Sequence, residues 1–234
     1  MSERKITHSD YRYERKFFIS SLSKFDVEQI VKYHPAIFSE IFYTRKVNNI
    51  YFDTYNLKNY IDNVNGNTER IKVRIRWYGD MFGYIKKPVL ELKIKRGLLG
   101  KKISTPINSF TLDDKTSIQT IIQHLADSDI SNLVDFQSLM PTLLNQYSRN
   151  YYLSSNGKYR ITLDTVLKYY AINAYDNTFL DHNTDSDSVI LELKYDKESD
   201  SSSDIISNYF LFRMTKSSKY VTGIETLYAD VLHQ

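Results

Sequence analysis

The chain contains no cysteine, so it can form neither a disulfide nor a thiolate metal site. Its five histidines, at 8, 34, 124, 182 and 233, share no ligand spacing, which argues against an imidazole metal centre. Glycine is also scarce, at seven residues, and no Gly-rich cradle or Walker-type loop for phosphates is present. A Ser/His/Asp order is absent too. No run approaches the roughly 20 apolar residues that cross a bilayer. The opening stretch MSERKITHSDYRYERK is charged and lacks the apolar segment of a signal peptide. These absences lead us to expect a soluble, cytoplasmic protein with no membrane segment. Basic residues exceed acidic ones by only 31 to 28, too few to coat a nucleic acid. Basic residues can therefore matter only where they are concentrated.

They are concentrated on strands. In KVRIRWYG, residues 72–79, Lys72, Arg74 and Arg76 alternate with Val73, Ile75 and Trp77. Side chains of a strand point alternately to its two faces, so one face is cationic and the other apolar. The pattern recurs in RYERKFFI (12–19), VLELKIKR (89–96), YRITLD (159–164) and VILELKY (189–195). A 3.6-residue period would scatter these charges around a helix axis, so the runs read as strands. Taken singly, each is a half-buried antiparallel strand with a wet outer face. Five together, repeating Arg-x-Arg and Glu-x-Lys, call for a shared purpose. Twenty Tyr and twelve Phe also favour strands.

Between them lie expected helices at 23–34, 56–66, 117–126, 130–147 (kinked at Pro141), 204–214 and 223–232. GLLGKK (97–102) reads as a hairpin tip, and 176–188 and 196–204 as polar loops. Amphipathic helices need an apolar surface, which the strands supply. If helices cover the apolar faces, the charged faces turn inward. The expected fold class is therefore α+β: an antiparallel β-barrel of about eight strands with helices outside, in one domain spanning 1–234. A lumen lined by Arg and Lys requires an anion, and phosphate chains suit Arg forks and Lys point charges. The interspersed Glu14, Glu91, Asp164 and Glu192 suit a hard divalent cation bridging to phosphate oxygens.

Eight short motifs occur in one order: Arg12-x-Glu14-x-Lys16, YFDT (51–54), KVRIR (72–76), LELKIK (90–95), SRNYY (148–152), YRITLDT (159–165), LELKY (191–195) and SKYVTG (218–223). In this order they resemble the VTC domain, the polyphosphate polymerase branch of the CYTH-like triphosphate tunnel metalloenzymes. The resemblance spans about 11–225. It implies a β-tunnel that binds ATP with Mn2+ or Mg2+ and transfers the terminal phosphate to a polyphosphate chain. It also implies roles. Lys16 stands near the transferred phosphate, Arg74 and Arg76 grip the phosphates, and Glu192 holds the metal, with Glu14 as a second ligand. Further phosphate contacts fall to Lys72, Lys93, Lys95, Arg149, Arg160, Lys194 and Lys219, and to Lys101 or Lys102. Asp164 is a candidate second metal ligand. Hydrolytic relatives begin with Glu-x-Glu-x-Lys, whereas this chain has Arg12 in place of the first acid, which favours transfer over hydrolysis. Three functions stay open at this stage: synthesis of polyphosphate, hydrolysis of triphosphate or nucleoside triphosphates, and plain binding of polyphosphate or inositol phosphates.

Overall fold

The computed structural model describes residues 12–97, 99–123 and 133–229. In chain order the elements are β1 Arg12–Ile19, α1 Lys24–Lys32, β2 Ser39–Thr54, α2 Lys58–Val64, β3 Glu69–Tyr78, β4 Gly83–Ile85, β5 Val89–Arg96 and β6 Leu99–Pro106. There follow β7 Phe110–Leu112, α3 Ile118–Gln123, β8 Leu139–Leu153, β9 Tyr159–Tyr170, β10 His182–Asp185, β11 Val189–Asp196, α4 Ser203–Asn208 and α5 Lys219–Leu227.

Among the described residues nine strands form one antiparallel sheet in the order β10-β9-β11-β1-β6-β5-β3-β2-β8, while β4 and β7 pair separately. Strand β8 also pairs with β9, from Leu144↔Tyr170 to Leu153↔Arg160. The hydrogen-bonded order therefore returns to β9. Its thinnest join is between β1 and β6, where Arg12↔Gly100 is the recorded partner pair.

The alternation read in the sequence sorts the two faces. Val73, Ile75, Trp77, Leu90 and Leu92 pack under the β4–β7 pair and α3 with Leu112, Ile118 and Ile122. Phe17, Ile19, Ile161, Leu163, Leu191 and Leu193 pack under α1 with Val27 and Val31. Each such side chain, removed from water, contributes about 1.5–3 kcal/mol. Helix α1 starts at a capping box: Ser23 Oγ accepts from Asp26 N at 3.2 Å, and the Asp26 carboxylate accepts from Ser23 N at 3.0 Å. It ends before Pro35, which cannot continue a helix.

Four expectations are corrected. Residues 139–153 form strand β8 where a kinked helix is expected; Pro141 sits at a register shift opposite Phe52, the kind of position where a strand tolerates its missing N–H. The helix expected over 204–214 stops at Asn208, and Met214 instead bridges to Phe17. The loop expected over 176–188 contains β10, paired to β9, and 197–202 is a 3-10 helix. Finally, α5 does not join the helices on the apolar face. Its Tyr220 and Ile224 pack with Tyr51, Leu143, Tyr169 and Ile190, which share the face of the charged residues. The ends of the helices expected at 117–126 and 223–232 lie partly outside the described residues.

Candidate functional site

Antiparallel partners share a face, so register alone assembles the site. Arg74 and Arg76 on β3 stand beside Tyr51 and Asn49 on β2 and beside Glu91 and Val89 on β5. Lys72 stands opposite Lys93, which stands opposite Lys102 on β6. On the other wall, Lys16 and Glu14 of β1 oppose Glu192 and Lys194 of β11. Arg149 of β8 opposes Asp164 of β9.

The four acids are hubs. Glu91 takes Arg74 at 2.6 Å, Lys102 at 2.9 Å and Arg76 at 3.5 Å. Glu192 takes Lys194 at 2.9 Å, Lys16 at 3.3 Å, Arg149 at 3.7 Å and Lys219 at 3.9 Å. Asp164 is held between the Arg149 guanidinium and the Lys219 ammonium, and is fully buried. Glu14 pairs with Lys93 at 2.7 Å. Lys72 differs: among the described residues no carboxylate pairs with it, and its ammonium donates to Ser218 Oγ at 2.7 Å.

The electrostatics follow. Burial works to raise the Glu14 carboxyl, but Lys93, Lys194 and Lys16 outweigh it and hold it at about 2. Burial likewise opposes ionisation of Glu91, Asp164 and Glu192, yet the surrounding cations keep all three well into the ionised range. Burial pushes the Lys72 ammonium well below the usual lysine range, and Lys16, Lys93, Arg70 and Arg74 push the same way. Lys93 is lowered to about 8, by burial first and by Lys16, against the pull of Glu14. Among the described residues, the basic side chains Lys16, Lys72, Arg74, Arg76, Lys93, Lys102, Arg149, Lys194 and Lys219 crowd around these four acids, with Lys95 and Arg160 farther along the same face. The surface is under-neutralised, and an anion carrying several charges would relieve it.

The chain matches the VTC domain over residues 11–228. It belongs to the VTC domain family. No curated protein matches it. Among solved structures it is similar to the PH1819 protein of Pyrococcus horikoshii OT3, at 13% identity and a TM-score of 0.54, over 92% of this chain and 99% of that one. It is also similar to a Bacillus halodurans protein provisionally assigned as an adenylate cyclase, at 14% identity and a TM-score of 0.52, over 95% of this chain and 100% of that one. At such identities the likeness speaks of fold alone. The family implies phosphate ligands.

In this VTC domain most of the residues marked in the sequence come together, but four need comment. Lys101 opposes Ile94 and shares its face, so it lies on the apolar side of β6, and Lys102 alone reaches the hub at Glu91. Asp164, a candidate metal ligand by sequence, is consumed by Arg149 and Lys219 and serves as their counter-charge. Arg160 shares the charged face, opposite Lys194, but is exposed at the start of β9. Lys95 lies one step beyond Lys93, and its ammonium is lowered by burial and by Arg70.

Sequence reasoning missed the residues that aim the arginines. Asn49 Oδ1 accepts from Arg76 Nε at 2.9 Å, Tyr147 Oη from Arg76 Nη2 at 3.1 Å, and Tyr51 Oη from Arg74 Nη1 at 3.2 Å. The signal was the parity of β2 and β8 against β3, visible only once those strands are recognised. Asp53 of the YFDT motif is structural. It accepts from the backbone N–H groups of Asn59 and Tyr60 at the start of α2, and from the Tyr220 hydroxyl of α5 at 2.6 Å.

Proposed function

We propose that this VTC domain is a polyphosphate polymerase that transfers the terminal phosphate of ATP to a growing inorganic polyphosphate chain. In this reading the cycle of paired strands encloses a basic tunnel. The observation that carries it is the excess of cations over acids on one shared face, with Lys72 lacking an acidic partner among the described residues. Arg74 and Arg76, oriented by Tyr51, Asn49 and Tyr147, would grip the phosphate chain from one wall. Lys16, Arg149 and Lys219 would meet it from the other. The terminal oxygen of the acceptor chain attacks the terminal phosphorus in line, that P–O bond forms as the bond to the bridging oxygen breaks, and ADP leaves. Phosphoryl transfer needs little covalent help, so the protein's share is alignment and fixed positive charge.

A divalent cation, Mn2+ or Mg2+, fits this reading. Glu14 and Glu192 are neighbours on the charged face, and both stay ionised. Two carboxylates with phosphate oxygens are a usual donor set for such an ion. When bound it would supply further neutralisation of the phosphates. Transfer is favoured over hydrolysis by two features. Arg12 stands where hydrolytic relatives carry an acid, and Asp164, locked by two cations, has no freedom to activate water.

The test is to incubate pure protein with ATP and manganese, follow ADP release, and stain gels for long polyphosphate. Polymer matching the ADP released supports synthesis. Release of inorganic phosphate in step with ADP, without polymer, would assign hydrolysis instead. Tight binding with neither product would leave a binding module for polyphosphate or inositol phosphates.

A further inference from the structure

The charged face does not end at its arginines. Two residues beyond Arg76 on β3 comes Tyr78, and two beyond Arg149 on β8 comes Tyr151, each roughly 7 Å along its strand. Between them, on β2, lies Arg45, the register partner of Arg149. Its guanidinium carbon sits 4.5 Å from the Phe42 ring centroid, 5.6 Å from that of Tyr151 and 5.7 Å from that of Tyr78. Phe42 meets Tyr151 edge-on at 5.6 Å. Among the described residues no carboxylate pairs with Arg45. Phe42 and Tyr78 remain about half exposed, at 48% and 53%.

The backbone is bent to build this cluster. Residues three apart on a regular strand point to opposite faces, so Phe42 and Arg45 should not meet. The β2–β8 register shifts between them: Tyr43 and Thr44 together face only Asn150. That bulge turns both side chains to the same side, as bulges beside functional sites do. The result is a planar cation and three aromatic rings, partly open to solvent. The Arg149 guanidinium carbon, 6.0 Å from the Tyr151 ring centroid, joins the cluster to the phosphate-gripping residues.

We propose that Phe42, Arg45, Tyr78 and Tyr151 seat the base of the incoming nucleoside triphosphate by stacking. This rests on the phosphate-binding reading above and adds where the nucleoside lies. A base extends past its phosphates by about one ribose, which matches a stacking site one strand step beyond Arg76 and Arg149. Rings and guanidinium planes both stack on bases. Stacking tolerates any base, because every base presents a π-face. The seat therefore prefers a nucleotide over bare triphosphate but discriminates weakly between ATP and GTP.

The experiment is calorimetric titration of wild type, Phe42→Ala, Arg45→Ala and Arg45→Lys with ATP, GTP and inorganic triphosphate, beside unliganded melting curves. We expect each variant to weaken ATP and GTP about ten-fold, because one stacking contact is lost, and to leave triphosphate affinity within about two-fold. Arg45→Lys keeps the charge and loses the plane, so it should behave like Arg45→Ala. Unchanged ATP affinity in all variants, with triphosphate still bound, overturns the base seat and spares the tunnel. Equal loss of ATP and triphosphate overturns it too, since the cluster would then only support the fold. Failure of wild type to bind triphosphate at all sinks the phosphate reading and this inference with it.

Discussion

Lys219, at the first turn of α5, and Asp164, midway along β9, form a buried ion pair that ties the C-terminal helix to the charged face of the sheet. Arg149 holds the same carboxylate from the other side with two hydrogen bonds. Removing one member of a buried pair costs about 3–5 kcal/mol, because the remaining charge is stranded. Asp164→Asn should therefore lower the melting temperature markedly without ligand. It should also free Arg149 and Lys219 for an anion, so inorganic triphosphate should recover more stability in the variant than in wild type. Melting curves with and without triphosphate test this, and a smaller ligand-induced shift in the variant would refute the counter-charge role.

The lysines give a pH dependence of definite sign. Lys93 is held at about 8 in the folded protein, below the ordinary lysine value of 10.5. As pH rises past about 8, Lys93 loses its proton in the folded state, and triphosphate affinity should fall. Between about 8 and 10.5 the unfolded chain binds more protons at this site than the folded one, so Lys93's contribution to stability improves over the same window. Near pH 9, binding a polyanion should draw in protons. Calorimetry in buffers of different ionisation enthalpy measures that uptake. Affinity independent of pH between 7 and 9.5 would contradict it.

What the sequence revealed, and what it hid, follows from which strands are buried on one face. In β1, β3, β5, β9 and β11 one face is apolar and the other charged, so alternation is legible. Strand β2 from Val47 to Asp53 is buried on both faces, and its period vanishes. Strand β8 opens on the apolar run Leu139–Leu144, broken by Pro141, which no period can classify as helix or strand. Tyr51, Asn49 and Tyr147 were lost with those two strands. The choice between Lys101 and Lys102, open in the sequence, is one of register, since a slip of one residue exchanges the faces of a strand. Amphipathy told that α5 needs an apolar surface. It could not tell that Tyr51, Leu143, Tyr169 and Ile190 offer one on the charged face.

That placement makes Gly223 sensitive. A Cβ there would stand 2.5 Å from one Leu143 methyl and 2.7 Å from Tyr169 Cδ1, and both side chains are buried with no room to retreat. Gly223→Ala should cost about 1–3 kcal/mol by overpacking. The shift of α5 would also carry Lys219 away from Asp164 and Glu192, so triphosphate affinity should drop with stability. Chemical unfolding and titration on the same samples check both effects. A neutral variant would mean that α5 does not lie against Leu143 in solution.

Glu192 separates binding from chemistry. It contacts Lys16, Lys194, Arg149 and Lys219, and these cations hold its carboxylate ionised against the cost of burial. Glu192→Gln keeps the shape and deletes the charge. In the absence of metal, a less negative site should bind triphosphate as well as wild type or better. With manganese, the variant should lose the metal-dependent gain in affinity and nearly all turnover, because Glu14 alone would remain as a carboxylate donor. Lys16→Ala should differ: Lys16 opposes Glu192 across the β1–β11 ladder, and if it stabilises the phosphate during transfer it should lower kcat more than affinity. Affinity with and without manganese, measured beside ADP release, tells these apart. Full turnover in both variants would place the activity elsewhere in the molecule, and this face would then be a binding surface only.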